Sequence, residues 1–218
     1  MTAISHTIGQ VVTVAARGGR SGAADGLLIP IGQQLAADAV DAVLAVDRAT
    51  VDLVLAVRQP LVTKFMTSVT GIGSAASVAV LLGLFYLAGW KRELALAGVA
   101  LVPTGLVVVA LMGAVQRPFP PSPVCLTGDT GMAPHSFPSG HAAAATVYAL
   151  VARRSERLPF AAVTGLAALV AVSRIYLGTH YLSDTVAGVA IGVGGFALAL
   201  VLLERFGDRL PVAFPGNH

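Results

Sequence analysis

Residues 173–184 read Ser-Arg-Ile-Tyr-Leu-Gly-Thr-His-Tyr-Leu-Ser-Asp and join two apolar segments, at about 158–177 and 183–204. A helix needs roughly 20 apolar residues to cross a bilayer, so this stretch connects two predicted membrane helices. It places Arg174, His180 and Asp184 at the membrane edge. Because an ionisable side chain at membrane depth costs about 2.5–3.5 kcal/mol on insertion scales, the cluster indicates a functional site.

The composition is that of an integral membrane protein. Of 218 residues, 56% are hydrophobic and only 11% are charged, far from a soluble domain. The length test finds further apolar segments at about 67–90, 94–115 and 139–153. We therefore expect an all-α, polytopic membrane helical bundle with about five spanning helices.

The N-terminal region has a different pattern. Residues 27–66 alternate charged and apolar side chains in a way that leaves an apolar stripe, which predicts amphipathic interfacial helices. A sixth spanning helix over residues 27–46 is the alternative. The expected organisation is a flexible tail at 1–26, the interfacial helices, a membrane-embedded bundle at 67–206 and a C-terminal tail at 207–218.

Positive charge in the short loops predicts the orientation, because cytoplasmic loops carry the excess of lysine and arginine. The loop residues expected to share the cytoplasmic face are Lys91, Arg92, Arg153, Arg154, Arg157, Arg205 and Arg209. Arg117 and Arg174 fall on the opposite face. We expect a multi-pass protein of the cell membrane whose polar clusters face the extracytoplasmic side.

Two other classes of partner are disfavoured. The net charge is +3, yet the basic residues form no dense or aromatic-interleaved run, so no nucleic-acid partner is expected. Cys125 is the single cysteine, which excludes an intramolecular disulfide and a thiolate metal site. No metal and no cofactor are expected, and the bilayer is an expected partner.

A second polar cluster, Ser136-Phe-Pro-Ser-Gly-His141, opens the segment at 139–153. Two intervening spans return the chain to the same membrane face, so both clusters should meet. Arg174 offers a fork for phosphate oxygens, while Ser139 and the amides of Gly140 and His141 would form a helix N-terminus aimed at an anion. Together they predict a phosphate-binding site.

His180, Asp184 and His141 are the candidate catalytic residues. A helical spacing of four would let Asp184 hold one ring nitrogen of His180 while the other attacks phosphorus. His141 would protonate the leaving oxygen. Each residue alone also fits a simpler interpretation: His141 as an interfacial helix cap, Arg174 as a snorkelling side chain and Asp184 as a residue favoured by the helix dipole.

Both clusters resemble signature motifs of the type 2 phosphatidic acid phosphatase superfamily, which shares its site with vanadium-dependent haloperoxidases and non-specific acid phosphatases. The resemblance covers about residues 112–200. It implies a bundle of about six helices with an external site and metal-independent hydrolysis. It also implies a phosphohistidine at His180 supported by Asp184, general acid catalysis by His141, and phosphate binding by Arg174, Ser139 and Gly140.

The chain departs from the superfamily's first motif, a lysine followed after six residues by Arg-Pro. One register puts Met112 and Phe119 at the lysine and arginine, and the other keeps Arg117 but leaves Ala110 for the lysine. Neither register restores both cations. Arg117 is expected to swing in as a further phosphate binder, with a loop arginine at the headgroups as the alternative.

The leading hypothesis is an integral membrane phosphatase that hydrolyses lipid phosphates or polyprenyl diphosphates through a phosphohistidine. Three alternatives remain open at this point. They are a lipid phosphotransferase that uses the same site, a non-catalytic lipid-phosphate binding protein, and a small transporter.

Overall fold

The computed structural model describes residues 31–124 and 135–206, and it contains only helices and loops in these ranges. The predicted tails at 1–26 and 207–218 lie outside the described residues. The chain divides into two compact units, residues 1–39 and 40–218, and every contact reported below lies within the second. The helices are α1 (Ile31–Val57), α2 (Pro60–Thr70), α3 (Ala75–Leu87), α4 (Lys91–Val115), α5 (Gly140–Arg154), α6 (Phe160–Tyr176) and α7 (Leu182–Phe206).

The first span, predicted at about 67–90, is instead a bent pair of helices that begins earlier, at Pro60. Helix α2 continues through a 3-10 turn, Gly71–Gly73, and α3 then leaves at an angle of 56°. Ser74 sets this break, because its extended backbone ends the turn while its hydroxyl accepts a hydrogen bond from the Ser77 amide (3.2 Å) and caps α3. The all-helical class is confirmed.

Length and hydropathy identify the strongest membrane helices among the described residues. Helices α4 and α7 are each long and apolar enough to span, and the bent pair would make a third span. Helix α6 is apolar but shorter, at 17 residues, and α5 has 15. The protein is a membrane helical bundle, and the count of five spans stays a prediction.

Helix α5 is packed on several sides at once, against α4, α6 and α7. Its alanines, Ala142–Ala145, are buried, and glycines of α7 face them. A Cβ added at Gly192 would lie 2.5 Å from the Ala143 carbonyl oxygen. Small residues on both helices therefore allow a close backbone approach, which brings the N-terminal ends of α5 and α7 together.

The opposite end of the bundle has its own polar contact. Glu93, in the first turn of α4, is buried and accepts a hydrogen bond from the Ser155 hydroxyl (2.7 Å), and Arg157 lies 3.4 Å away. An apolar core separates this end from the polar clusters. Its buried members are Phe85, Leu96, Ala97, Ala100, Val147, Val151, Phe196 and Ala199.

Candidate active site

The two predicted clusters meet at one end of the bundle. Ser139 is the N-cap of α5, and Gly140 and His141 form its first turn. Arg174 is in the last turn of α6, and Asp184 is in the first turn of α7. The Ser139 amide donates to the Asp184 carbonyl oxygen (3.0 Å), so the two clusters are in direct contact.

His180 lies in the turn between α6 and α7 and is almost fully buried. Its Nδ1 is hydrogen-bonded to the backbone carbonyl oxygen of Ser136. A carbonyl can only accept, so Nδ1 carries the proton and Nε2 keeps its lone pair. Burial first, and the charge of Arg174 next, lower the pKa of His180 to about 3. The ring is therefore neutral near pH 7, as a nucleophile requires.

The expected hydrogen bond between Asp184 and His180 is not formed. Asp184 Oδ2 is 4.0 Å from Nδ1 of His180 and instead accepts from the Tyr181 amide (2.9 Å). The physical reason is that α7 begins at Leu182, so His180 precedes the helix and the two residues do not share a helical face. The Ser136 carbonyl performs the orienting role that we expected of Asp184.

Arg117 links Asp184 to a residue outside both clusters. Its Nη1 donates to Asp184 Oδ1 (2.6 Å) and to the Ser183 hydroxyl (2.8 Å), and its Nη2 donates to Asp47 Oδ2 (2.7 Å). The guanidinium also lies over the Tyr181 ring, 3.9 Å from its centroid. Phosphate binding by Arg117 stays a prediction.

Asp47 of α1 is 1% exposed although most of its neighbours on the helix are exposed. Its Oδ1 accepts from the Ser183 amide (2.9 Å), and its Oδ2 accepts from the Ser183 hydroxyl (2.6 Å) and from Arg117. Burial alone would raise the pKa of Asp47, but the hydrogen bonds from Ser183 and Arg117 outweigh it and leave the pKa below its usual value. Asp47 is therefore a carboxylate paired with the site.

Arg174 is directed by a residue of α2. Its Nη1 donates to the Thr70 hydroxyl (2.9 Å), and its charge acts on both His141 and His180. The 3-10 turn after α2 packs directly on His141: a Cβ added at Gly73 would lie 2.9 Å from Cβ of His141. The bend of the first span thus forms one wall of the site.

An apolar cavity of about 150 Å³ follows His141 along α5. Ala145 and Tyr148 line it, and they are four and seven residues beyond His141, on the same helix face. Ile72, next to Gly73, lines it as well. An apolar cavity of this size holds about six carbon atoms, by comparison with one that takes benzene.

Sequence reasoning missed Asp47, Thr70 and Ser183. All three are polar residues whose partners are distant in the chain, so spacing gave no signal for Thr70 or Ser183. Asp47 did have a sequence signal. It interrupts an apolar stripe on α1, because it is spaced by three or four residues from the partly buried Leu44, Val51 and Val54.

Comparison with known proteins agrees with these motifs. The sequence profile of the PAP2 superfamily matches residues 93–208, more than half of the chain. The chain belongs to the PAP2 superfamily. Among its relatives, decaprenylphosphoryl-5-phosphoribose phosphatase of Mycobacterium tuberculosis is 36% identical over 115 residues, 53% of this chain and 64% of the relative. This match thus leaves about a third of the relative's length uncovered.

The match to another relative extends over more of the chain. Phosphatidylglycerophosphatase B of Bacillus subtilis is 28% identical over 187 residues, which cover 78% of this chain and 87% of the relative. Two crystal structures share the PAP2 fold. The transmembrane phosphatidylglycerolphosphate phosphatase of Bacillus subtilis has a TM-score of 0.65 at 24% identity, covering 75% of this chain and 87% of that chain. LpxE of Aquifex aeolicus has a TM-score of 0.59 at 28% identity, covering 69% of this chain and 92% of that chain.

Proposed function

We propose that this PAP2 protein is an integral membrane phosphatase that hydrolyses a lipid phosphate or polyprenyl diphosphate through a phosphohistidine at His180. The observation that carries the proposal is the hydrogen bond from Nδ1 of His180 to the Ser136 carbonyl oxygen. It leaves a neutral ring whose Nε2 lone pair is available for attack on phosphorus. Superfamily membership supports the same chemistry.

The reaction proceeds in two displacements. Nε2 of His180 forms a bond to phosphorus as the bond from phosphorus to the lipid oxygen breaks, and the lipid oxygen takes a proton from His141. Burial and the charge of Arg174 lower the pKa of His141 in the free site, so we propose that His141 takes up this proton together with the phosphate anion. Water then attacks phosphorus and gives a proton back to His141, and the N–P bond breaks with its electron pair returning to Nε2. The products are inorganic phosphate and a lipid alcohol, or a lipid monophosphate when the substrate is a diphosphate.

Charge on the phosphoryl oxygens is balanced by the chain's own groups. Arg174, directed by Thr70, supplies a permanent cation. The first-turn amides of α5, at Gly140 and His141, point toward an anion at the helix N-terminus, with Ser139 as the cap. These donors stabilise the equatorial oxygens in the transition state, so we propose a reaction that needs no added metal or cofactor.

The lipid class of the substrate is supported by the cavity and by the relatives. An apolar cavity lined by Ala145, one helical turn beyond His141, fits part of the hydrocarbon of a lipid substrate. The relatives are a decaprenylphosphoryl-5-phosphoribose phosphatase and a phosphatidylglycerophosphatase, two names that join a phosphate ester to a lipid. We propose that the tail of the substrate stays in the bilayer.

The proposed location is the cell membrane, with the site facing the extracytoplasmic side. The site lies at the C-terminal ends of α4 and α6 and the N-terminal ends of α5 and α7. The basic residues at the opposite helix ends include Lys91, Arg92, Arg153, Arg154 and Arg205. Their excess supports a cytoplasmic position for that end.

Phosphate release by the detergent-purified protein tests the proposal. The substrates are phosphatidic acid, phosphatidylglycerol phosphate and prenyl diphosphates, assayed with chelator and without added metal. We expect release by the wild-type protein and at least a 10³-fold loss in His180→Ala, which removes the nucleophile. Size-exclusion profiles must match between the two proteins. Release that persists in His180→Ala, or no release by a folded wild-type protein from any substrate, would refute the proposal.

A further inference from the structure

Helix α1 contributes one charged residue to the interior of the site. Asp47 is buried, whereas Asp52, on the same helix, is exposed to solvent or lipid. Burying a carboxylate costs several kcal/mol unless it is paired and hydrogen-bonded. Both oxygens of Asp47 are satisfied by Ser183 and Arg117. This is a specific pocket for a carboxylate, built from the loop after α4 and the start of α7.

Arg117 forms an ion pair with both carboxylates, with one terminal nitrogen on Asp47 and the other on Asp184. The fork is planar and rigid, so fixing one end orients the other. Asp184 is fully buried, so the geometry of its ion pair with Arg117 depends on where Asp47 holds the other end of the fork.

The net charge of Asp47, Arg117 and Asp184 together acts on His180. Asp184 Oδ2 is 4.0 Å from Nδ1 of His180, close enough to act on the ring through space in a buried site. Phosphorylation at Nε2 makes the ring cationic while Nδ1 keeps its proton. Two carboxylates around one guanidinium leave one net negative charge beside that cation. Without the charge of Asp47, the group would be neutral.

We propose that Asp47 is a positioning residue for the proposed reaction: it orients Arg117 against Asp184 and supplies the charge that keeps this group net negative beside His180. The inference rests on the proposed function. It assigns to α1 a role in the site, through a contact that joins residues 70 positions apart.

Asp47 also anchors α1, so a purely structural role is the competing explanation. A second contact that holds α1 allows the positioning role of Asp47 to be separated from its structural role. Arg58, just after α1, donates to the Ser122 carbonyl oxygen (2.8 Å) and to the Tyr176 carbonyl oxygen (3.0 Å). Asp47→Asn keeps the size of the side chain and leaves Arg58 in place. It therefore removes the charge with little effect on the docking of α1.

The test compares Asp47→Asn, Asp47→Glu and the matched control Asp52→Asn, all as full-length protein in detergent. We expect kcat for phosphate release to fall about 10- to 100-fold in Asp47→Asn, by analogy with the loss of a group that supports a metal-ligating side chain. KM should change less than threefold, because Asp47 does not touch substrate. Asp47→Glu, which keeps the charge, should recover part of the loss, and Asp52→Asn should match wild type.

Binding of orthovanadate, a phosphate analogue that can become five-coordinate on His180, gives a readout independent of turnover. We expect Asp47→Asn to weaken it about tenfold, in line with the loss in kcat. Wild-type kcat and vanadate affinity in Asp47→Asn would overturn the positioning role, as would equal losses in Asp47→Asn and Asp47→Glu. A wild-type protein that neither releases phosphate nor binds vanadate would instead refute the proposed function, and the positioning role would fail with it.

Discussion

Gly73→Ala tests whether the bend in the first span holds His141 in place. The added Cβ would lie 2.9 Å from Cβ of His141, 3.0 Å from its Cδ2 and 3.0 Å from Cγ1 of Val170. Carbon atoms pack at about 3.5–4.0 Å, so His141 or the turn must move by about 0.5 Å. Misplacement by 1 Å can cost 10²-fold in rate, which suggests a loss of about tenfold in kcat. The overpacking should also destabilise the protein by about 1–3 kcal/mol.

Gly71→Ala is the matched control, because it changes the same 3-10 turn and no atom lies within 4 Å of the added Cβ. Phosphate release per folded molecule, measured for both variants beside wild type, separates displacement of His141 from a general effect of alanine in the turn. We expect Gly71→Ala to behave as wild type. Equal kcat values for the two variants would refute the argument that Gly73 sets the position of His141.

Two further predictions concern stability. Gly192→Ala should lower the free energy of unfolding by about 1–3 kcal/mol, because its Cβ would meet the Ala143 carbonyl oxygen. The control Gly194→Ala, whose Cβ has nothing within 4 Å, should not lower it. Thermal unfolding in detergent compares the two variants, and equal midpoints would contradict the close packing of α5 and α7. Burial and Arg174 lower the pKa of His180 in the folded protein to about 3, compared with about 6.5 in the unfolded chain. The neutral ring therefore contributes fully to stability above pH 6.5. Below pH 6.5 this contribution falls by up to about 1.4 kcal/mol per pH unit. Unfolding from pH 7.5 to 5 should therefore show a weaker pH dependence in His180→Gln, and an unchanged one would contradict a buried neutral ring.

The sequence predicted what depends on hydropathy and local motifs. The apolar segments predicted a helical membrane bundle, and two short motifs separated by two helices predicted one shared site; the start of α5 does contact the start of α7 through Ser139 and Asp184. The predicted segment, about 183–204, begins close to the observed start of α7 at Leu182. The pairing of Asp184 with His180 failed because it assumed that the helix extends back to His180, whereas the Ser136 carbonyl holds the ring. Backbone acceptors carry no sequence signal, so this partner could be found only in the structure.

The departure from the superfamily's first motif involves the ion pairs of Arg117 as well as the missing lysine. Arg117 occupies the arginine position of that motif in one register, yet here it lies between two buried carboxylates, and Asp47 comes from a helix outside the region that the PAP2 profile matches. An arginine shared by two carboxylates is a weaker phosphate clamp than an unshared one, because phosphate must compete with both. In the proposed reaction, Arg174 and the amides of α5 bind the phosphate without the missing lysine, and the proposed role of Arg117 is to hold Asp184 beside His180. With the roles divided in this way, we expect variants of Arg174 to raise KM strongly and variants of Asp47 to lower kcat.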